Sequence, residues 1–253
     1  MTDEPLSLQV VVTSPSSGDH DLMRQGAASC AVPINMVEAY DAASACRSIA
    51  AGADLVFVDA VVAGNDAAQV VAAAREAPSR PFSVLLAAPG AGAVAFATDA
   101  LAAKPSRLAE AQRLVDRSIR VRRPSRVLVI DDSSTMRSIV RKILAATRFP
   151  LEVSEADEGL AALKLVREAE FDLAFLDYNM PDFSGLETLA EFKREKRRMS
   201  VVLMTSTRDD KLAERARALG AVFLKKPFFA ADIDAVLCRF YGLVALNPRR
   251  AQA

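Results

Sequence analysis

Residues 126–148 read RVLVIDDSSTMRSIVRKILAATR. Four apolar residues, three of them β-branched, run into two adjacent carboxylates, Asp131 and Asp132, and then into small hydroxyl residues. Beyond these the apolar positions take helical spacing. The pattern predicts a buried strand, a tight turn and an amphipathic helix. Asp and Ser are favoured at helix starts, so capping accounts for one acid at this junction. It leaves the second unexplained.

Downstream the same alternation repeats. LEVSEA (151–156) precedes DEGLAALKLVREA, DLAFLD (172–177) precedes GLETLAEFKRE, VVLMT (201–205) precedes RDDKLAERARALG, and AVFLK (221–225) precedes AADIDAVLCRFYGL. Five β–α units with near-continuous apolar strands imply an α/β domain, its parallel sheet covered by helices on both faces. The N-terminal half follows the same scheme, with strand candidates at 8–13, 34–39, 55–60, 83–88 and 100–103. The halves register at an offset of about 118, which sets Asp59 on Asp177, Ala87 on Thr205 and Ser14–Pro15 on Asp131–Asp132. Lys104–Pro105 meets Lys226–Pro227 only after a four-residue gap. A repeat this long means duplicated domains rather than a solenoid, whose units run about 20–50 residues. The predicted domains are 6–122 and 125–244, joined through the short linker VRRPS.

Composition narrows the class. The 253 residues carry 32 basic and 32 acidic side chains, so no overall field draws the chain to nucleic acid. Cys30, Cys46 and Cys238 lack metal-ligand spacing and fit small core residues in a reducing compartment. No apolar run approaches the ~18 residues of a membrane span, and the acidic N-terminus has no leader pattern. A cytoplasmic protein is expected, without membrane insertion. With both halves read as α/β domains, no helix-turn-helix segment is left over, which disfavours DNA binding.

In an open parallel sheet, ligands bind beyond the carboxyl ends of the strands, where strand order switches. In the second half the unusual polar residues sit there: Asp131 and Asp132 after the first strand, Asp177 at the third, Thr205 at the fourth, Lys225–Lys226 at the fifth. Adjacent lysines point to opposite faces, so one of them enters the site. Clustered carboxylates repel unless a cation offsets them. Hard oxygen ligands without His or Cys suit Mg²⁺. A carboxylate beside such a metal can act as nucleophile toward a phosphoryl group, while Lys and Thr meet the transferring oxygens.

Residues 126–243 resemble the receiver domain of two-component response regulators, through VLVIDD, FLDYNMPDFSGLE, VVLMTST and FLKKPF in that order and spacing. The resemblance implies a flavodoxin-like (βα)5 fold with strand order 2-1-3-4-5 in each domain. It implies Asp177 as phosphoacceptor for a histidine kinase or histidine phosphotransfer protein. Asp131, Asp132, Asp177 and the backbone carbonyl of Asn179 would hold Mg²⁺, with Thr205 and Lys226 contacting the phosphoryl group. Thr205 and Phe223 would form the switch. Lys226 is selected over Lys225 by the KP match.

The first half keeps Asp59 and Lys104 but has Ser14–Pro15 for the acidic pair, Ala87 for the threonine and Leu101 for the switch aromatic. It reads as a degenerate receiver, with its fourth helix shortened in APGAGAVAFATDA (88–100) and Asp59 a poor acceptor. Arg113, Arg117 and Arg120 share one helical face, and Arg122 and Arg123 follow in the linker. They read either as a solvated basic face or as an anion- or nucleotide-binding set, cyclic-di-GMP being the ligand that family analogy offers. KREKRR (193–198) carries the same two readings, a solvated face or a partner patch.

The sequence thus predicts a regulator without an output domain, signalling by contact with a downstream protein or a second copy of itself. Its alternatives are a phosphate sink or relay intermediate, and a regulator whose degenerate domain binds a second messenger. A small-molecule phosphatase is disfavoured, because that chemistry shows Asp-x-Asp with its nucleophile on the first strand.

Overall fold

Every apolar run marked as a strand lies in a parallel sheet of the computed structural model, which describes residues 7–61, 66–87, 98–181, 184–195, 198–207 and 210–244. Among these the chain forms two units, one of residues 7–122 together with 241–244 and the other of Arg123–Phe240.

The first unit runs β1 (Leu8–Thr13), α1 (Ser17–Ala28), β2 (Ile34–Ala39), α2 (Ala42–Ala50), β3 (Leu55–Asp59), α3 (Asp66–Glu76), β4 (Phe82–Ala87), β5 (Ala100–Ala103) and α4 (Leu108–Arg120). Its sheet has the order β2-β1-β3-β4-β5. The expected shortening of a helix between β4 and β5 falls on 88–97, outside the described residues. The second unit runs β6 (Ser125–Ile130), α5 (Ser134–Ala145), β7 (Leu151–Ala156), α6 (Gly159–Glu168), β8 (Leu173–Asp177), α7 (Gly185–Glu195), β9 (Ser200–Thr205), α8 (Asp210–Ala218), β10 (Val222–Lys225) and α9 (Ala230–Tyr241). Its order, β7-β6-β8-β9-β10, repeats the 2-1-3-4-5 arrangement of the first. Both units are flavodoxin-like, as the resemblance implies.

The central strands show why the runs are continuously apolar. All five residues of β3, LVFVD, and all five of β8, LAFLD, are buried, because helices cover both faces. Phe175, Leu128 and Phe192 are sealed from solvent in the second unit, as Phe57, Leu55 and Leu85 are in the first. Truncating Phe175 to Ala would cost about 3–5 kcal/mol in lost contacts and cavity. The edge strand β7 (LEVSEA) is only half covered and carries three polar residues.

Chain order reverses across β1/β3 and again across β6/β8, which leaves a crevice at the carboxyl ends of each pair. At the second crevice Ser133, not an aspartate, caps α5: its hydroxyl accepts the Met136 N–H at 3.3 Å. Both acids of the pair are thereby left for the crevice.

Candidate functional site: two crevices with different charge

In the second unit Asp177 is the last residue of β8, Asp131 follows β6, and Lys226 follows β10. Carboxylate oxygens of Asp131, Asp132 and Asp177 lie within 4.8 Å of one another, the first and third buried and Asp132 exposed. Lys226 Nζ reaches into this cluster, 2.9 Å from Asp131 Oδ2 and 2.9 Å from Asp177 Oδ1. Asp131 Oδ1 accepts the Ser133 N–H at 2.9 Å. Burial lifts the Asp177 carboxyl above the usual range, and the neighbouring Asp131 charge adds to this against the pull of Lys226. Burial works against the Lys226 ammonium too, but its two carboxylate partners hold it above the ordinary lysine value.

The flanking residues are placed by backbone geometry. Thr205 ends β9, fully buried, and its hydroxyl accepts the Thr207 N–H at 3.1 Å. Its carbonyl accepts the Lys226 N–H at 2.6 Å, which ties the ends of β9 and β10 together. Phe223 is half-buried on β10, packed against the second unit's core. Asn179 is exposed in the loop after β8. That loop folds back tightly: Gly185 N–H donates to the Tyr178 carbonyl at 3.1 Å. A Cβ at position 185 would lie 2.7 Å from Tyr178 Cα and collide with the Asp177 carbonyl oxygen. Three carboxylates with no His or Cys among them form a hard oxygen set that fits Mg²⁺. A divalent cation bound there would supply positive charge beside the carboxylate oxygens.

The first unit's crevice is built differently. Asp59, ending β3 and buried, takes Lys104 Nζ on Oδ2 at 2.7 Å and the Ser14 hydroxyl at 3.2 Å. Asp19, from the first turn of α1, takes the same Lys104 Nζ at 2.6 Å and the same hydroxyl at 2.5 Å. Burial opposes the Asp19 charge, yet the Lys104 and Ser14 hydrogen bonds hold its carboxyl below the usual range. Burial likewise opposes Lys104, and the two carboxylates push it up. Val12, Leu22, Met23 and Leu86 wall the pocket. Ser14–Pro15 stand in the loop after β1 where the second unit has its acidic pair, yet the crevice holds a second carboxylate beside Asp59. One carboxylate has returned from the helix.

A family model for the response regulator receiver domain matches residues 127–237. Chemotaxis protein CheY-3 of Vibrio cholerae serotype O1 is 32% identical over 119 residues, covering 46% of this chain and 91% of that protein. The chain belongs to the response regulator receiver family. A protein-glutamate methylesterase/protein-glutamine glutaminase of Symbiobacterium thermophilum is 38% identical over 140 residues, 52% of this chain and 39% of that one. A solved structure of a probable two-component system response regulator/GGDEF domain protein covers 93% of this chain and 98% of its own, at 20% identity and TM-score 0.59. It shows the same fold across both units. Receivers are phosphoacceptor signalling domains that bind Mg²⁺ in their acidic pocket and work with histidine kinases or phosphotransfer proteins.

Of the receiver residues expected from sequence, Asp131, Asp132, Asp177 and Lys226 are brought together, with Thr205 beside Lys226. Lys225 is exposed, so Lys226 alone of the pair enters the crevice. Asp19 escaped the sequence reading because an acid in a helix's first turn is ordinary there. Arg113, Arg117, Arg120 and Arg123 are exposed, and the half-buried Arg122 pairs with Asp54 at 3.6 Å. Within KREKRR, Lys193 donates to the Met199 carbonyl at 3.1 Å and Arg194 pairs with Glu191 at 2.5 Å. All three cysteines are free thiols. Burial and a nearby Asp116 push the Cys30 thiol up to about 12, and burial first, then Asp234, pushes Cys238 to about 11, so neither is a ready nucleophile. Among the described residues no helix is long and apolar enough to cross a membrane.

Proposed function

We propose that this receiver protein takes a phosphoryl group onto Asp177 from a histidine kinase or histidine phosphotransfer protein and signals by contact with a downstream protein. Residues 125–244 would be the working receiver and 6–122 a degenerate one. The observation that carries this reading is the meeting of three carboxylates with one bridging lysine at the ends of three strands.

The chemistry balances simply. An Asp177 carboxylate oxygen attacks the phosphorus of the donor's phosphohistidine; the new P–O bond forms as the P–N bond breaks, and the leaving imidazole takes up a proton. Asp131, Asp132 and the Asn179 carbonyl would hold Mg²⁺. Lys226, already on Asp177 Oδ1, is placed to stay with the charged oxygens through the transfer. Thr205, anchored to Lys226 through its carbonyl, would rotate toward the phosphoryl group and let Phe223 repack, altering the surface around β10. Asp59 is occupied by Lys104 and Ser14 in a crevice with Ser14–Pro15 in place of the acidic pair after β1, which supports a non-accepting first unit.

The test is beryllofluoride with Mg²⁺ on wild type, Asp177→Asn and Asp59→Asn, read by amide hydrogen exchange, with acetyl phosphate and intact mass in parallel. Protection around β9 and β10 should change in wild type and Asp59→Asn and stay flat in Asp177→Asn. A response that survives Asp177→Asn overturns the assignment.

A further inference from the structure

Among the described residues the Asp132 carboxylate makes no hydrogen bond or ion pair, so its position in the crevice is set through its backbone. That backbone lies between two ladders. β6 ends at Ile130, and the first carbonyl that α5 uses is Ser133 O, which accepts the Arg137 N–H at 3.0 Å. The carbonyls of Asp131 and Asp132 therefore fall outside both sheet and helix, and each needs a partner from elsewhere.

Arg137 supplies it. From the first turns of α5, its Nη1 donates to Asp131 O at 2.7 Å and reaches Asp132 O at 3.4 Å. Its Nε donates to Glu155 Oε2 on β7 at 3.3 Å, and Glu155 is held from its other side by Arg141 at 3.1 Å. The Arg137 side chain is only 17% exposed, so this fork is packed rather than swinging in solvent. The first unit supports the inference. There His20, also six residues on, donates from Nε2 to the Ser14 carbonyl at 2.9 Å. Where the acidic pair is missing, a single ring N–H serves one carbonyl; where the pair is present, a guanidinium spans two.

We infer that Arg137 is a positioning residue, whose guanidinium fixes the two peptides that carry Asp131 and Asp132 and so holds their carboxylates ready for a divalent cation. The inference rests on the reading of that pair as cation-holding. Its sign is opposite to the simple electrostatic expectation. Removing a positive charge from beside an acidic cluster should tighten cation binding. Removing a group that orients the ligands should loosen it, by about 10-fold or more.

Mn²⁺ affinity decides, measured on the full chain by the electron paramagnetic resonance of free ion, with melting temperature as the folding control. Arg137→Met is expected to weaken Mn²⁺ about 10-fold. Arg137→Lys, which restores charge without the fork, should stay weakened. Glu155→Gln, which loosens the other end of the fork and is expected to fold even if Arg137→Met does not, should weaken binding about 3-fold. Unchanged or tighter binding in Arg137→Met or Glu155→Gln overturns the inference, as does full recovery in Arg137→Lys. The underlying reading fails separately, and takes the inference with it, if wild type does not bind Mn²⁺ or if Asp132→Asn binds as wild type does.

Discussion

Asp177 is held in a state that costs the fold something. Its carboxyl is raised because burial penalises the anion, so ionising it costs more in the folded protein than in the unfolded chain. A raised acid is destabilising above its folded pKa and neutral in effect below the unfolded one. Asp177→Asn should therefore raise the melting temperature at pH 7 without Mg²⁺, by a few degrees on the scale of ~4–8 °C per kcal/mol for a domain this size. A fall in Tm would show that the Lys226 bond outweighs burial. In the first crevice the sign differs. Asp19 is lowered, so its contribution is present above the usual aspartate value and drains away as pH falls through the lowered one. The gap in Tm between wild type and Asp19→Asn should hold above the ordinary aspartate value and narrow as pH falls below it. Lys104→Met leaves Asp59 and Asp19 without their shared cation. It should cost about 2 kcal/mol, below the ~3–5 kcal/mol of a fully buried pair because the side chain is 29% exposed. Urea melts would measure it. Asp177, Asp131 and Lys226 were legible in the sequence because a strand end has a known direction toward the crevice. Asp19, His20 and Arg137 were not. On a helix face their direction depends on how that helix packs, and each residue type has an ordinary reading there.

At the scale of elements, the two units show how far apolar pattern alone determines the sheet. Strand candidates fell within a residue of the observed bounds, 55–60 against Leu55–Asp59 and 83–88 against Phe82–Ala87. Continuous burial leaves little choice of position. Helix starts were less legible: the helical pattern of PSRLAEAQRLVDRSIR (105–120) runs back to Pro105, but α4 begins three residues later, at Leu108. Close approaches between elements were invisible, because a glycine in sequence does not say what presses on it. Gly185 opens α7 against the backbone of Asp177 and Tyr178. Gly185→Ala must shift either α7 or Asp177, and is expected to cost about 2 kcal/mol and to slow acylphosphate formation. Stopped-flow with a small phosphodonor would show it, and an unchanged rate would mean that the helix gives way instead. Gly26 in α1 is pressed by Ala111 of α4 in the same manner, within the first unit. Gly26→Ala is thus the matched control, destabilising the first unit without touching the rate.

For the whole molecule the asymmetry between crevices sets how it should respond to ligand. Anything that binds only the folded second unit stabilises it by mass action, about 2.7 kcal/mol at a hundredfold excess over Kd. Scanning calorimetry with Mg²⁺ and beryllofluoride should raise the melting of one unit and leave the other's contribution in place. A rise in both, lost together in Asp177→Asn, would show that they unfold as one. The chain contains a single histidine, fully buried, with its ring centroid 4.5 Å from that of Tyr40 and its Nε2 on the carbonyl at the mouth of the crevice. Its imidazole protons therefore form a solitary, native resonance that reports on the first unit, and an event confined to Asp177 either moves that signal or leaves it still.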